Sequence, residues 1–123
     1  IANAFYEKSL QYYNKQEFLI AIFMMQQATR FAYYNILHIA GYSLIRYSAL
    51  KVLREHISEI LPDVRDVFLF DSEKDKLLFE KMDVSLPDKN FIRDFSITEE
   101  EITQLLDKVG ELLKLSENYI PER

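Results

Sequence analysis

From Phe18 to Ile45 the chain carries a single formal charge, Arg30. A stretch that long and that apolar must be covered along most of its circumference, by lipid or by protein. Lipid is the poorer fit. Gln26, Gln27, Arg30, Asn35 and His38 interrupt the run, and polar side chains are costly against hydrocarbon. No membrane association is expected, and the run reads as a central helix enclosed by its neighbours. Leu19, Ile22, Met25, Ala28, Ala32 and Ile36 recur at intervals of three and four from Glu17 to about Ala40, the period of a helix. Phe18, Phe23, Phe31 and Leu37 fill other directions, so cover is needed on more than one side. Gly41 supplies a stop, because glycine accepts the left-handed cap conformation without a steric penalty.

The flanking sequence repeats the helical pattern. Residues 2–14 place Tyr6, Leu10 and Tyr13 at spacings of four and three, and Asn14-Lys15-Gln16 makes a polar turn before the central run. Residues 42–46 read as a connection. A third helix is expected from Ser48 to Ile60, with Leu50, Leu53, Ile57 and Ile60 on one stripe and Lys51, Arg54 and Glu55 on another. Pro62 ends or bends it. Val64, Val67, Phe68, Leu77, Leu78 and Met82 then stand among many charges, giving one broken helix or two short ones around Asp71-Ser72-Glu73. Residues 84–95 read as loop. A last helix starts near Thr98, where Thr98-x-x-Glu101 has the spacing of a capping box and Glu99 and Glu100 suit the positive end of the helix dipole. Ile102, Leu105, Leu106, Val109, Leu112 and Leu113 continue it. Gly110 weakens that helix by about 1 kcal/mol relative to alanine, and close packing would explain its presence.

With only two glycines and three prolines in 123 residues, a turn-dense β-sandwich or barrel lacks its punctuation. The expected architecture is all-α, an up-and-down bundle of four to five helices forming one domain over residues 1–123. The absence of cysteine removes disulfide scaffolds, thiol catalysis and cysteine-based zinc sites, and it fits a reducing cytoplasm, the expected location. The opening Ile1-Ala2-Asn3-Ala4-Phe5 lacks the basic end and apolar run of a signal peptide. The net charge of −5 argues against a uniformly basic coat for nucleic acid. Yet the charge is uneven: +4 over residues 1–54, −8 over 55–101 and −1 over 102–123. Grouped solvated faces explain this, and so does a basic patch on the second and third helices that meets an anionic ligand.

Motifs for most chemistries are missing. Gly41 and Gly110 stand alone, so there is no phosphate-binding glycine loop. His38 and His56 lie eighteen apart and lack the spacing of a zinc, di-iron or calcium motif. No serine is framed by the glycines of a nucleophile elbow. Neither a metal nor an organic cofactor is expected. On its apolar helix His38 is expected to be a packed residue.

The segment Phe23-Met24-Met25-Gln26-Gln27-Ala28 resembles the second helix of HEPN domains (higher eukaryotes and prokaryotes nucleotide-binding). There an apolar run leads to Phe-Leu-x-Gln-Gln-Ala, a charged pair and further alanines. Met24 replaces the leucine, Ala32 falls where a later alanine stands, and Arg30-Phe31 departs from the usual Glu-Lys. Family members often follow with a glycine, a short connection and Arg-Thr-His; here Gly41 is followed by four residues and then Arg46-Tyr47-Ser48. The stretch from Thr98-Glu99-Glu100-Glu101 is similar to the family's closing helix.

This resemblance implies a helical bundle that dimerises. Some relatives act beside a small nucleotidyltransferase, in toxin–antitoxin-like systems, and others are metal-independent ribonucleases. The ribonucleases use an arginine followed, after four to six intervening residues, by a histidine, which suits acid–base work beside a charged phosphate. Seven residues separate Arg30 from His38, nine separate Arg46 from His56, and one separates Arg54 from His56. None fits. The expectation is a non-catalytic binding module, a homodimer associating with a nucleotide, RNA or a nucleotidyltransferase partner. The alternative is a ribonuclease with a displaced Arg/His pair. Candidate ligand-binding residues are Gln26, Gln27 and Arg30 on the second helix and Arg46 and Lys51 near the start of the third. Gln26 and Arg30, one turn apart, could share a face with Tyr33 or Tyr34, and Gln26 could equally serve to satisfy buried polar groups.

Overall fold

Helix α2 (Phe18–Ile39) is the axis of the molecule, as its composition demands: α1 (Ala2–Asn14), α3 (Leu50–Ile60), α5 (Glu73–Asp83) and α6 (Glu99–Glu117) all pack against it. A one-turn helix α4 (Pro62–Arg65) and a 3-10 turn (Asp66–Phe68) link α3 to α5. The computed structural model describes residues 1–41, 49–68, 70, 72–83 and 97–118. Among them every element is helical and there is no strand, so the all-α bundle is the fold. The connection expected over residues 42–46 and the loop over 84–95 lie outside the described residues. One buried apolar cluster draws on all the helices and on the 3-10 turn.

Ala21, Ala28 and Ala32 on α2 are fully or almost fully buried and let neighbouring helices approach closely, while Ile22, Met25, Tyr33, Ile36 and Leu37 fill the remaining cover. The turn between α1 and α2 is tight. Gln16 adopts a left-handed conformation (φ 62°), and the Glu17 amide reaches back 2.9 Å to the Tyr12 carbonyl. Gly41 follows α2 at φ 90°, the stop its chemistry suggested.

Some expected faces are rotated. On α1 the inward seam runs through Ala2 and Ser9, with Phe5, Tyr6, Tyr12 and Tyr13 half-buried, and Leu10 is left exposed. On α5 the buried side chains are Leu78, Phe79 and Met82, and Leu77 faces solvent. Pro62 does more than end α3: it opens α4 at a first-turn position, where its fixed φ suits a helix and its missing N–H is not needed.

The capping box at the head of α6 is complete. The Glu101 amide donates to Thr98 Oγ1 at 3.1 Å and the Thr98 amide donates to Glu101 Oε1 at 3.0 Å. Lys81 of α5 adds a 2.9 Å ion pair to Glu101. The Thr98 backbone bond, opposed by burial and supported by Lys81, holds the Glu101 carboxyl below its ordinary value. A carboxyl depressed by folding stabilises above its unfolded pKa of about 4.3, and that contribution is lost as the pH falls through the lower folded value. Urea midpoints measured from neutral to acid pH are therefore expected to fall less steeply in Glu101→Gln than in the parent; identical slopes would refute this.

Gly110 has a packing reason. An ideal Cβ at that position would sit 2.7 Å from Tyr6 Oη, and the Tyr6 hydroxyl donates to the Leu106 carbonyl at 3.1 Å. Gly110→Ala gains about 1 kcal/mol of helix propensity. It must also displace a rigid phenol, at a strain of about 1–3 kcal/mol, and strain that weakens the Tyr6 bond costs about 1 kcal/mol more. A net loss of about 1–3 kcal/mol is expected by chemical denaturation, and Tyr6→Phe should recover part of it by removing the clashing oxygen.

Candidate functional site

The residues singled out on α2 diverge once folded. Gln26 is fully buried. Its amide donates to the Met82 carbonyl at 3.2 Å and to the Asp83 carbonyl beside it, both at the end of α5. Asp83 in turn accepts the Leu50 amide on Oδ1 at 2.9 Å. The α3 N-cap, Ala49, has no side chain to offer, so Asp83 caps α3 from another helix and places a negative charge at its positive end. Gln26 thus holds α2, α5 and α3 together and takes the structural of its two expected roles.

Gln27 points away from Gln26 and is half-buried on the outer side of α2. Arg30, also half-buried, places Nη1 3.5 Å from the Tyr34 hydroxyl. Lys51 is exposed on the first turn of α3. Arg46 lies outside the described residues. Gln27 and Arg30, three apart, share one helical side, whereas Gln26 and Arg30 have separate surroundings. Tyr33 is buried in the core and Tyr34 half-buried. His38 is exposed, which corrects the expectation of a packed histidine: in the last turn of α2 Ile36 and Leu37 take the buried direction, and His38 faces outward with Ile39. His56 is half-buried on α3. Among the described residues no three His, Asp or Glu side chains are grouped to hold a metal ion, and no helix is long and apolar enough to cross a membrane.

Arg54 is the larger correction. Expected with Lys51 and Glu55 on a stripe apart from the apolar one, it is only 8% exposed. Its Nε donates to the Phe68 carbonyl at 2.8 Å, and its guanidinium lies 3.8 Å from the centre of the Phe70 ring. Burial lowers its pKa from the ordinary value, opposed in part by Tyr33. The Tyr33 phenol is pushed well up by its own burial, with Arg54 offsetting a little, so it remains a donor. The basic patch expected on α2 and α3 therefore loses Arg54 to the interior. Spacing carried a signal: Arg54 follows Leu50 by four and precedes Ile57 by three, within the apolar stripe.

An open groove of about 440 Å³ lies elsewhere, between α1 and α6 over Gly110. Tyr6 forms part of its floor, and Asp107, Glu111 and Glu117 outnumber Lys114 around it. That charge disfavours an anionic ligand, and none of the candidate residues reaches it. Burial, then Asp107, raises the Tyr6 pKa, consistent with a locally acidic surface. Neither a protein-family model nor a curated protein sequence matches the chain.

Proposed function

We propose that the chain is a non-catalytic, HEPN-like interaction module that pairs with a second copy of itself through the outer side of α2 and engages a nucleotidyltransferase partner as that dimer. The observation that carries the reading is the character of that side. Ile20, Phe23, Met24 and Gln27 recur at three, four and seven along it; Ile20 is 41% exposed and the others are half-buried. The outer sides of α3 and α6 instead carry Lys51 and Glu55, and Glu100, Asp107 and Glu111. A two-fold dimer brings one patch against its own copy, which suits a neutral apolar stripe with an amide able to donate and to accept. The type of partner follows from the resemblance of residues 23–28 to the family's second helix.

Light scattering on the parent chain is expected to give the dimer mass, and Ile20→Glu with Phe23→Glu to give the monomer mass at unchanged helical circular dichroism. A parent that is monomeric at every concentration overturns the pairing. RNA incubated with the parent is expected to stay intact. Cleavage that His38→Ala and His56→Ala together abolish would overturn the non-catalytic part.

A further inference from the structure

The groove between α1 and α6 is separate from the outer side of α2, since none of Ile20, Phe23, Met24 and Gln27 lines it. Its volume of about 440 Å³ lies within the range of about 300–1,000 Å³ usual for binding clefts. The floor is apolar and fixed. Tyr6 donates to the Leu106 carbonyl at 3.1 Å, lies close against the bare backbone of Gly110, and is joined by the buried Leu113. The rim is negative. Asp107, Glu111 and Glu117 are exposed there, and the ion pairs among the described residues, Arg65–Asp66 and Lys81–Glu101, include none of them. Lys114 is the single cation among the described lining residues, so three carboxylates face one ammonium. The field of the rim reaches the floor: after burial, Asp107 is what raises the Tyr6 pKa.

We propose that this groove docks a short basic segment of a partner protein in extended conformation, with arginine side chains on the carboxylate rim and apolar side chains on the floor. Charge complementarity selects the partner. The rim repels phosphate, and among the described residues no three acidic or histidine side chains are grouped to hold a metal ion. Small-molecule sites bury most of their ligand's surface, which an open groove does not, whereas a side chain delivered by a longer chain needs no enclosure. Spacing sets the fit. Asp107 and Glu111 are one helical turn apart, with Cβ atoms about 6 Å from each other. Alternate side chains of an extended chain lie about 7 Å apart on one face. Asp107 to Glu117 covers about 15 Å of helix, which roughly four to five extended residues span. Arginine suits the rim better than lysine, because its planar guanidinium meets a carboxylate through two bonds and packs flat on an aromatic ring. The site stands or falls independently of the dimer.

The test follows the Gly110 amide resonance of the full chain, on the floor of the groove, at fixed ionic strength. The probes are acetyl-Arg-Leu-Arg-Leu amide, acetyl-Glu-Leu-Glu-Leu amide and N-acetylarginine amide. The parent is expected to respond saturably to the arginine peptide, more weakly to N-acetylarginine amide and not to the glutamate peptide. Asp107→Asn with Glu111→Gln is expected to weaken the peptide response about tenfold, and Lys114→Gln, which removes the competing cation, to strengthen it about threefold. Glu73→Gln with Glu100→Gln takes the same charge from sites away from the groove and should leave the response as in the parent. All of these side chains are exposed, so the variants are expected to fold. Equal responses to the two peptides overturn the inference, as does an Asp107→Asn with Glu111→Gln variant no weaker than the distant pair. N-acetylarginine amide binding as tightly as the peptide would give the groove to a free cation. A Gly110 shift that follows protein concentration alone would give it to a second copy. Either result also overturns the inference.

Discussion

Phe79→Ala is expected to cost about 3–5 kcal/mol, the range for truncating a large buried aromatic. Phe79 is 1% exposed on α5 and sits edge-on to two rings, Phe68 at 5.1 Å and Phe70 at 5.4 Å between centroids. Its removal forfeits the transfer free energy of the ring, leaves a cavity, and unmakes both edge-to-face contacts. Those contacts are each worth about 0.5–1.5 kcal/mol and overlap with the burial term. A domain of this size has roughly 5–15 kcal/mol of stability in all, so the variant should unfold at markedly lower urea with little change in slope. The loss should also reach Arg54. Phe70 is its stacking surface and Phe68 supplies its carbonyl acceptor, and both rings lean on Phe79. Phe79→Leu retains much of the volume and should cost clearly less. Equal losses for the two variants would mean that the rings are not packed in this way.

What could be read in advance divides along physical lines. Local signals carried the helices: the period of α2, the left-handed stop at Gly41, and the reciprocal Thr98–Glu101 cap all depend on residues within a turn of one another. Periodicity gives a direction around a helix, but the width of the covered arc depends on what packs there. Leu10 and Leu77 match the period yet fall outside the arc, and Arg54 is polar yet falls inside it. The cluster of Phe68, Phe70 and Phe79 accepts Arg54 because an aromatic face and a free carbonyl at the end of the 3-10 turn replace part of its hydration. His38 shows the reverse: it follows the buried Ile36 and Leu37 in an apolar run, yet its own direction around the helix leaves it exposed.

The candidate site was legible only in part, for the same reason. A glutamine within an apolar run signals a buried polar role, but its acceptors lie 56 and 57 residues away on α5. The cap on α3 comes from Asp83, a residue 33 positions later. No pattern local to either helix announces such a bond. Gln26 and Gln27, adjacent in a motif, are sent by the helical twist to different surroundings, one inward to α5 and one half-buried on the outer side of α2.

The second large effect is expected from Gln26→Glu, a change of almost no volume. The side-chain amide donates to the carbonyls of Met82 and Asp83 in a sealed position. A carboxylate there would offer no donor, would confront two carbonyl oxygens, and would lie close to the Asp83 carboxylate that caps α3. An uncompensated buried charge costs about 3–5 kcal/mol, and a loss of that order is expected near neutral pH. Burial and like charge must raise the folded-state pKa of the new carboxyl above the unfolded value of about 4.3. Below that unfolded value the group is protonated in both states and can donate one O–H to a carbonyl. As the pH rises from there toward the raised folded value the unfolded chain ionises first, so stability is progressively lost. The deficit relative to the parent should therefore shrink on acidification. Gln26→Leu leaves the same carbonyls without donors but introduces no charge, and should cost about 1–3 kcal/mol with a pH dependence like the parent's. Urea titrations of the three chains across acid and neutral pH separate the two effects. A pH-independent deficit for Gln26→Glu would mean that position 26 opens to water, and that the bonds joining α2, α5 and α3 at Asp83 do not hold the bundle closed.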